Sequence, residues 1–234
     1  MKKVFCTVLT EHKLIAKLDY RPAIQTMLYS MKKNGNVEDI PMIIFNDGLC
    51  DDTKKRLLKL KQNIEFRTVN KTIYEATKDK HNARYYSFES FLLTEYDRVV
   101  FLDSDLFIVK DINGLFEIEN NISMGKEDRR DCYNAGVIVL DKSMINYDVY
   151  KALLAHEAPE HIFGNDQKIY NSYFKNINKL EKKYNTLVTE VDNIENICIL
   201  HYIHKPYILE GRNNLDKHIC DLWLDMYFES EKLL

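Results

Sequence analysis

The segment Arg98-Val99-Val100-Phe101-Leu102-Asp103-Ser104-Asp105 passes from four consecutive apolar residues to two carboxylates. A strand without polar alternates is buried on both faces, which places Val99–Leu102 inside a helix-covered sheet. Ligands of open α/β sheets bind beyond the carboxyl ends of the strands, so Asp103 and Asp105 stand on the rim where a site is expected. Residues two positions apart project to the same side of an extended chain, and the small Ser104 between them permits a tight turn toward one cation. Carboxylate oxygens suit Mg²⁺ or Mn²⁺, ions that bridge a diphosphate and neutralise charge as it departs. Asp-Ser-Asp is equally an ordinary way to end a strand and cap a turn, so the surrounding chain must decide between the two readings.

On either side of this segment, short β-branched runs alternate with helix-period stretches, the pattern of a largely parallel sheet covered by helices. Val4–Leu9, Pro41–Phe45 and Ile64–Val69 read as strands. Ile24, Met27, Leu28 and Met31 recur at helical spacing within residues 22–33, and Gly35 follows as a stop. Asp51 or Asp52 can cap a second helix that runs through Lys61. Ser87–Glu95 reads as a helix leading into the central strand. Beyond the acidic pair come strands at Ile122–Met124, Val137–Leu140 and Ile197–Tyr202, and helices at Ser143–Ala155, Gln167–Phe174 and Leu215–Phe228. No repeat, low-complexity tract or Pro/Gly-rich linker interrupts the 234 residues, so one domain over residues 1–234 is expected.

The formal net charge of −3 offers no basic excess for nucleic acid or an anionic membrane surface, so neither is expected as a partner. The five cysteines are odd in number and unpaired in spacing, which argues against a disulfide framework and a zinc cluster. The apolar start Val4–Leu9 is short, broken by Cys6 and Thr7, and followed by Glu11, His12 and Lys13, so it reads as a buried strand and not as a leader peptide. No apolar run approaches the roughly 18 residues of a membrane span. These features together suggest a cytoplasmic protein.

At this point the sequence resembles the glycogenin-like glycosyltransferases, the eighth family, whose members are retaining enzymes with the nucleotide-diphospho-sugar transferase (GT-A) fold. Thr7-Val8-Leu9-Thr10 resembles their opening strand, and Tyr20 their following tyrosine-led helix. Arg98–Asp105 resembles the metal motif and Asp111-Ile112-Asn113-Gly114-Leu115-Phe116 the segment after it. Asp131-Cys132-Tyr133-Asn134-Ala135-Gly136 resembles the sugar-contacting strand, and Gly164-Asn165-Asp166-Gln167 the Asp-Gln pair beside the reacting carbon. Tyr184-Asn185 matches a pair in the acceptor-side wall. His201-Tyr202-Ile203-His204-Lys205-Pro206-Tyr207 is similar to a closing motif whose histidine is the third metal ligand and whose lysine holds the pyrophosphate. Two departures stand out. The stretch from His201 to Lys205 is shorter than in the family and lacks its glycine, and Ser87 stands where the family carries a basic residue, with Arg84 nearby.

The resemblance implies an α/β fold with a Rossmann-like mixed sheet flanked by helices. It implies a metal, Mn²⁺ with Mg²⁺ as the alternative, on Asp103, Asp105 and His201. The donor, a UDP-sugar, would meet Leu9, Thr10, Tyr20, Arg84, Ser104, Asp131, Asn134, Ala135 and Lys205. Asp166 and Gln167 would act at the anomeric carbon, either beside a front-face attack or with Asp166 as nucleophile. The hexose (glucose, galactose or N-acetylglucosamine) and the acceptor (a glycan, glycolipid or protein hydroxyl) stay open, and a homodimer is compatible. An external acceptor is expected over self-transfer, because the chain ends soon after Trp223. Two other readings share the metal-binding carboxylates. One is a nucleotidylyltransferase, which should carry a glycine-rich signature that Val4–Lys17 lacks, and the other is an inactive carbohydrate-binding relative.

Overall fold

In the computed structural model, residues 1–11, 18–75, 83–127, 131–159 and 165–234 are described. The apolar run beside the acidic pair is strand β4, Arg98–Leu102, and all five of its residues are buried. Before it come β1 (Lys3–Val8), β2 (Met42–Asn46) and β3 (Ile64–Thr68), with helices α1 (Arg21–Asn34), α2 (Asp51–Leu60) and the short α3 (Lys71–Glu75). After it come β5 (Leu106–Ile108), β6 (Ile122–Glu127) and β7 (Cys132–Asp141), then α4 (Tyr147–Ala155) and α5 (Asp166–Tyr173). The last elements are the short strands β8 (Asn178–Lys179), β9 (Thr186–Leu187) and β10 (Ile199–His201), and the helices α6 (Leu209–Asn213) and α7 (Lys217–Glu231).

The main sheet has the order β3-β2-β1-β4-β7-β6-β8. The first four strands are parallel, as their alternation with helices demands, but β7 pairs antiparallel with both β4 and β6. The parallel sheet expected from the residue pattern is therefore corrected to a mixed one, the arrangement the family resemblance implies. An apolar run such as Val137–Leu140 fits the centre of either kind of sheet, so its direction is not readable from its composition. The strand expected at Ile197–Tyr202 is β10 of a second sheet, β5-β10-β9, whose other two strands, of three and two residues, have no counterpart in the residue pattern.

Val99 and Phe101 face one core layer, beneath residues 83–92, α4 and α5, while Val100 and Leu102 face another, beneath α1 and α2. The α-helix expected at residues 87–95 is replaced by the end of a run of tighter 3₁₀ turns, Ala83–Leu92. Tyr85, Tyr86, Phe88 and Phe91 are all buried, so this segment has no continuous polar face, which an amphipathic α-helix would require. No helix among the described residues is long and apolar enough to cross a membrane, and none of the five cysteines forms a disulfide.

Helix α7 seals the back of the second sheet. Trp223, 1% exposed, stacks on Tyr227 at 5.4 Å and leans on Tyr207 at 5.5 Å, in a cluster with Phe107, Leu200, Tyr202 and Ile219. Replacing a buried tryptophan by alanine loses its transfer energy and leaves a cavity, a cost of about 3–5 kcal/mol. Trp223→Ala is expected to lower the urea midpoint accordingly at unchanged denaturant slope, as measured by equilibrium unfolding.

Candidate active site

The rim of the sheet opens into a cleft of about 560 Å³. Its lining includes Tyr20, Arg84, Asp103, Ser104, Asp105, Asn134, Ala135, Asp166, Gln167, His201 and Lys205. Three backbone features bring these residues together. The β4–β7 pairing continues one step beyond Leu102, where Asp103 N donates to Gly136 O at 2.8 Å. The antiparallel pairing of β5 with β10 sets His201 opposite Leu106, and Tyr202 N donates to Asp105 O at 3.0 Å. Helix α5 starts at Asp166, so its first residues face the cleft.

Asp103, Asp105 and His201 each offer one ligand atom, and these atoms lie within 4.8 Å of one another. His201 Nε2 stands 3.2 Å from Asp105 Oδ1 and 3.8 Å from Asp103 Oδ2. The buried Asp105 Oδ1 accepts no hydrogen bond. Two carboxylates and an imidazole at these separations match the shell of a hard-to-borderline divalent ion with bonds of roughly 2.0–2.2 Å. The residues therefore fit a divalent metal, while their chemistry does not choose between Mn²⁺ and Mg²⁺.

Burial works on all these groups, with opposite outcomes. At Asp103, burial and the charge of Asp105 raise the carboxyl to about 7. At Asp105 burial also pushes upward, but the Lys205 ammonium and His201 outweigh it and hold the carboxyl well below the usual range. Burial would depress His201 and Lys205, yet the negative charge of Asp105 raises both. Lys205, 5% exposed, donates to Asp105 Oδ2 and to Tyr202 O (2.7 Å), with its ammonium 5.4 Å above the Tyr20 ring. Burial raises Asp166 to about 6, against the hydrogen bond donated by Ser87 Oγ at 3.0 Å and the charge of Arg84.

Both family departures acquire a structural account. Ser87 is buried between Asp166 and the Tyr170 hydroxyl, 2.8 Å away, so it braces the acid, and the nearby Arg84 lines the cleft. The short His201–Lys205 stretch has no glycine, but Gly211 of α6 supplies the close approach. A Cβ there would lie 2.0 Å from Lys205 O.

Leu9 and Thr10 lie at the end of β1 outside the cleft lining, with Leu9 packed in the core and its N–H donated to Phe45 O at 3.0 Å. Asp131 is also outside that lining: its side chain is 90% exposed and pairs with Lys126 at 2.6 Å. The carboxylate facing the cleft there is Glu127, which the motifs of the sequence do not single out. It accepts from Asn134 Nδ2 at 3.0 Å and from Gln167 Nε2 at 3.3 Å. Glu127 is the last residue of β6, but acids also follow it at positions 128 and 131, so the sequence carries no signal that singles it out. Gly164 lies outside the described residues. Asn185, expected in the acceptor-side wall, lies behind the cleft lining, against His201 and Asn134.

The solved galactosyltransferase LgtC, in complex with donor and acceptor sugar analogs, superposes with a TM-score of 0.75 at 14% identity, covering 96% of this chain and 95% of that one. The fold is of the GT-A glycosyltransferase type. Residues 14–128 match the family described as Glycosyl transferase family 8. Glycosyltransferase GlyF of Streptococcus pneumoniae serotype 4 is 30% identical over 169 residues, 64% of this chain and 42% of that protein. Glycogenin-1 of Mus musculus is 35% identical over 83 residues, 35% of this chain and 24% of that protein. The chain thus spans less than half the length of these relatives. In its fold and over the stretch that the family model matches, the chain resembles glycosyl transferase family 8 and its glycogenin-like glycosyltransferases.

Two tests follow from the site's geometry. A Cβ on Gly136 would fall 2.4 Å from His201 Cε1, so Gly136→Ala is expected to displace the imidazole and weaken divalent-cation binding at least tenfold, read by calorimetric titration. The second concerns pH. The folded state holds the Asp103 proton more tightly than the unfolded chain, so the stability tied to that proton is present in acid and lost as pH rises through about 7. Asp103→Asn should therefore raise the melting temperature of the metal-free chain at pH 8 and leave it unchanged near pH 4. The Asp103 side chain is 40% exposed, so water screens the repulsion and the gain should stay within roughly 2–4 °C.

Proposed function

We propose that the chain transfers a hexose, glucose or galactose, from a UDP-sugar to a hydroxyl acceptor with retention at the anomeric carbon, using Mn²⁺ and accepting Mg²⁺. The observation that carries this reading is the convergence of Asp103, Asp105 and His201 in a cleft that also presents Lys205, Asp166 and Gln167. Asp103, Asp105 and His201 would hold the ion, which when bound supplies positive charge against the departing diphosphate. Lys205 adds a second cation at the β-phosphate, and Arg84 lies on the same wall. Fixed positive charge aimed at the place where negative charge develops is the strongest means such a site has of lowering the barrier.

In this reading the nucleoside lies toward Tyr20 and Ser104, with Leu9 and Thr10 behind it at the end of β1. Asn134, Ala135 and Glu127 address the sugar hydroxyls, with Asp131 beyond the cleft edge. Asp166 and Gln167 flank the reacting carbon, where a carboxylate and an amide stabilise positive charge without forming a bond. Front-face attack fits this arrangement, because the leaving phosphate can take the acceptor's proton and no protein base is needed. An acceptor glycan, glycolipid or protein hydroxyl would meet Leu187, Thr189, Ile203 and His204, which also line the cleft.

Incubation with UDP-glucose or UDP-galactose and Mn²⁺ should release UDP and, with an acceptor, give an α-linked product by NMR. Asp105→Asn is expected to lower kcat/KM about 10²–10³-fold. No UDP release from any hexose donor with either ion would overturn the proposal.

A further inference from the structure

Asn185 is 7% exposed and lies between the 3₁₀ turn Lys182–Tyr184 and β9. Its Nδ2 donates to Asn134 Oδ1 at 2.9 Å, and its Oδ1 faces His201 Nδ1 at 3.1 Å. The two ends of an amide have the same shape, so its orientation must be argued from its partners. One partner here is unambiguous. The Gly136 N–H can only donate, and it meets Asn134 Oδ1 at 2.8 Å, while the other end of Asn134 faces the Glu127 carboxylate. Asn134 is thereby oriented, and whatever else meets its oxygen must be a donor. Asn185 therefore turns its NH₂ to Asn134 and its oxygen to His201. A carbonyl oxygen only accepts, so His201 carries a proton on Nδ1 and directs Nε2 at Asp103 and Asp105.

Two glycines make room for this arrangement. A Cβ on Gly125 would lie 2.5 Å from Asn185 Nδ2, and one on Gly136 would lie 2.5 Å from His201 Nδ1. Gly125 sits where the β6–β7 register shifts, so the irregularity coincides with the seat of Asn185. The connected side chains then run His201, Asn185, Asn134, Glu127, Gln167.

We propose that Asn185 is a positioning residue that couples the metal end of the cleft to its sugar end. Its oxygen holds His201 in the tautomer that offers Nε2 to the ion, and its NH₂ holds Asn134 in the orientation that faces the sugar. This inference rests on the function proposed above. Partners behind a metal-bound histidine typically set affinity by 10–100-fold.

Two substitutions separate the two links. Asn185→Asp keeps an acceptor for Nδ1–H but sets a carboxylate oxygen against Asn134 Oδ1. Asn185→Ala removes both links. Calorimetry with Mn²⁺ alone should give Asn185→Asp a Kd within about threefold of the unmodified chain, and Asn185→Ala a Kd ten- to hundredfold weaker. At saturating Mn²⁺, the KM for UDP-glucose should rise at least tenfold in both. Unchanged metal affinity in Asn185→Ala, or equal loss of metal and donor binding in Asn185→Asp, overturns the proposal. Imidazole ¹⁵N NMR of the metal-free chain at alkaline pH is independent of the functional reading. It should show Nδ1–H for His201 in the unmodified chain and in Asn185→Asp, and a shift toward Nε2–H in Asn185→Ala. The same tautomer in all three refutes the inference, whereas absence of Mn²⁺ binding by the unmodified chain refutes the functional reading instead.

Discussion

The buried carboxylate of Asp105 meets the Lys205 ammonium on one side and the His201 imidazole on the other. Removing a carboxylate from water costs several kcal/mol unless opposite charge and hydrogen bonds replace the lost solvation. The compensating Lys205 ammonium and the facing His201 ring both come from the β10 end of the chain, far from Asp105 in sequence. The short β5–β10 ladder is what delivers them, and α7 with Trp223 holds that ladder from behind. The site and this part of the core are therefore coupled, because a shift of β10 would leave Asp105 charged, buried and unpartnered.

Space is the second constraint. Glycines at positions 125, 136 and 211 stand where side chains or backbone approach closer than any Cβ would allow. Each lies beside a group with a proposed role: Asn185, His201 and Lys205. Steric room and polar satisfaction thus act together, since the hydrogen bonds from His201 to Gln167 form only if strands β6 and β7 come this near. Asp166 is subject to the same demand for compensated charge, held by Ser87, which also meets Tyr170, and lying within the field of Arg84.

Much of the site is legible in the sequence for definite reasons. An apolar strand ending in Asp-Ser-Asp marks its own position on the sheet rim, and the helical spacing of Ile24, Met27, Leu28 and Met31 marks a buried face. Of the second sheet only β10 is legible, because strands as short as β5 and β9 have no periodicity to read. Nor is the 3₁₀ stretch at Ala83–Leu92, where aromatic residues on every side erase the amphipathic signal. Glu127, and not Asp131, turns toward Asn134, a choice that distance along the chain does not reveal.

Taken alone, the sequence determined the α/β class, the central strand, the acidic pair at its end and the candidate ligand His201. Those depend on hydrophobic pattern and local chemistry, which neighbouring residues carry among themselves. Tertiary structure decided the antiparallel course of β7, the meeting of His201 with Asp105, the bracing of Asp166 by Ser87 and the place of Asn185. Each of these is a contact between segments distant in the chain. Such contacts are set by strand register and by the need to compensate buried charge, and no local pattern encodes either one.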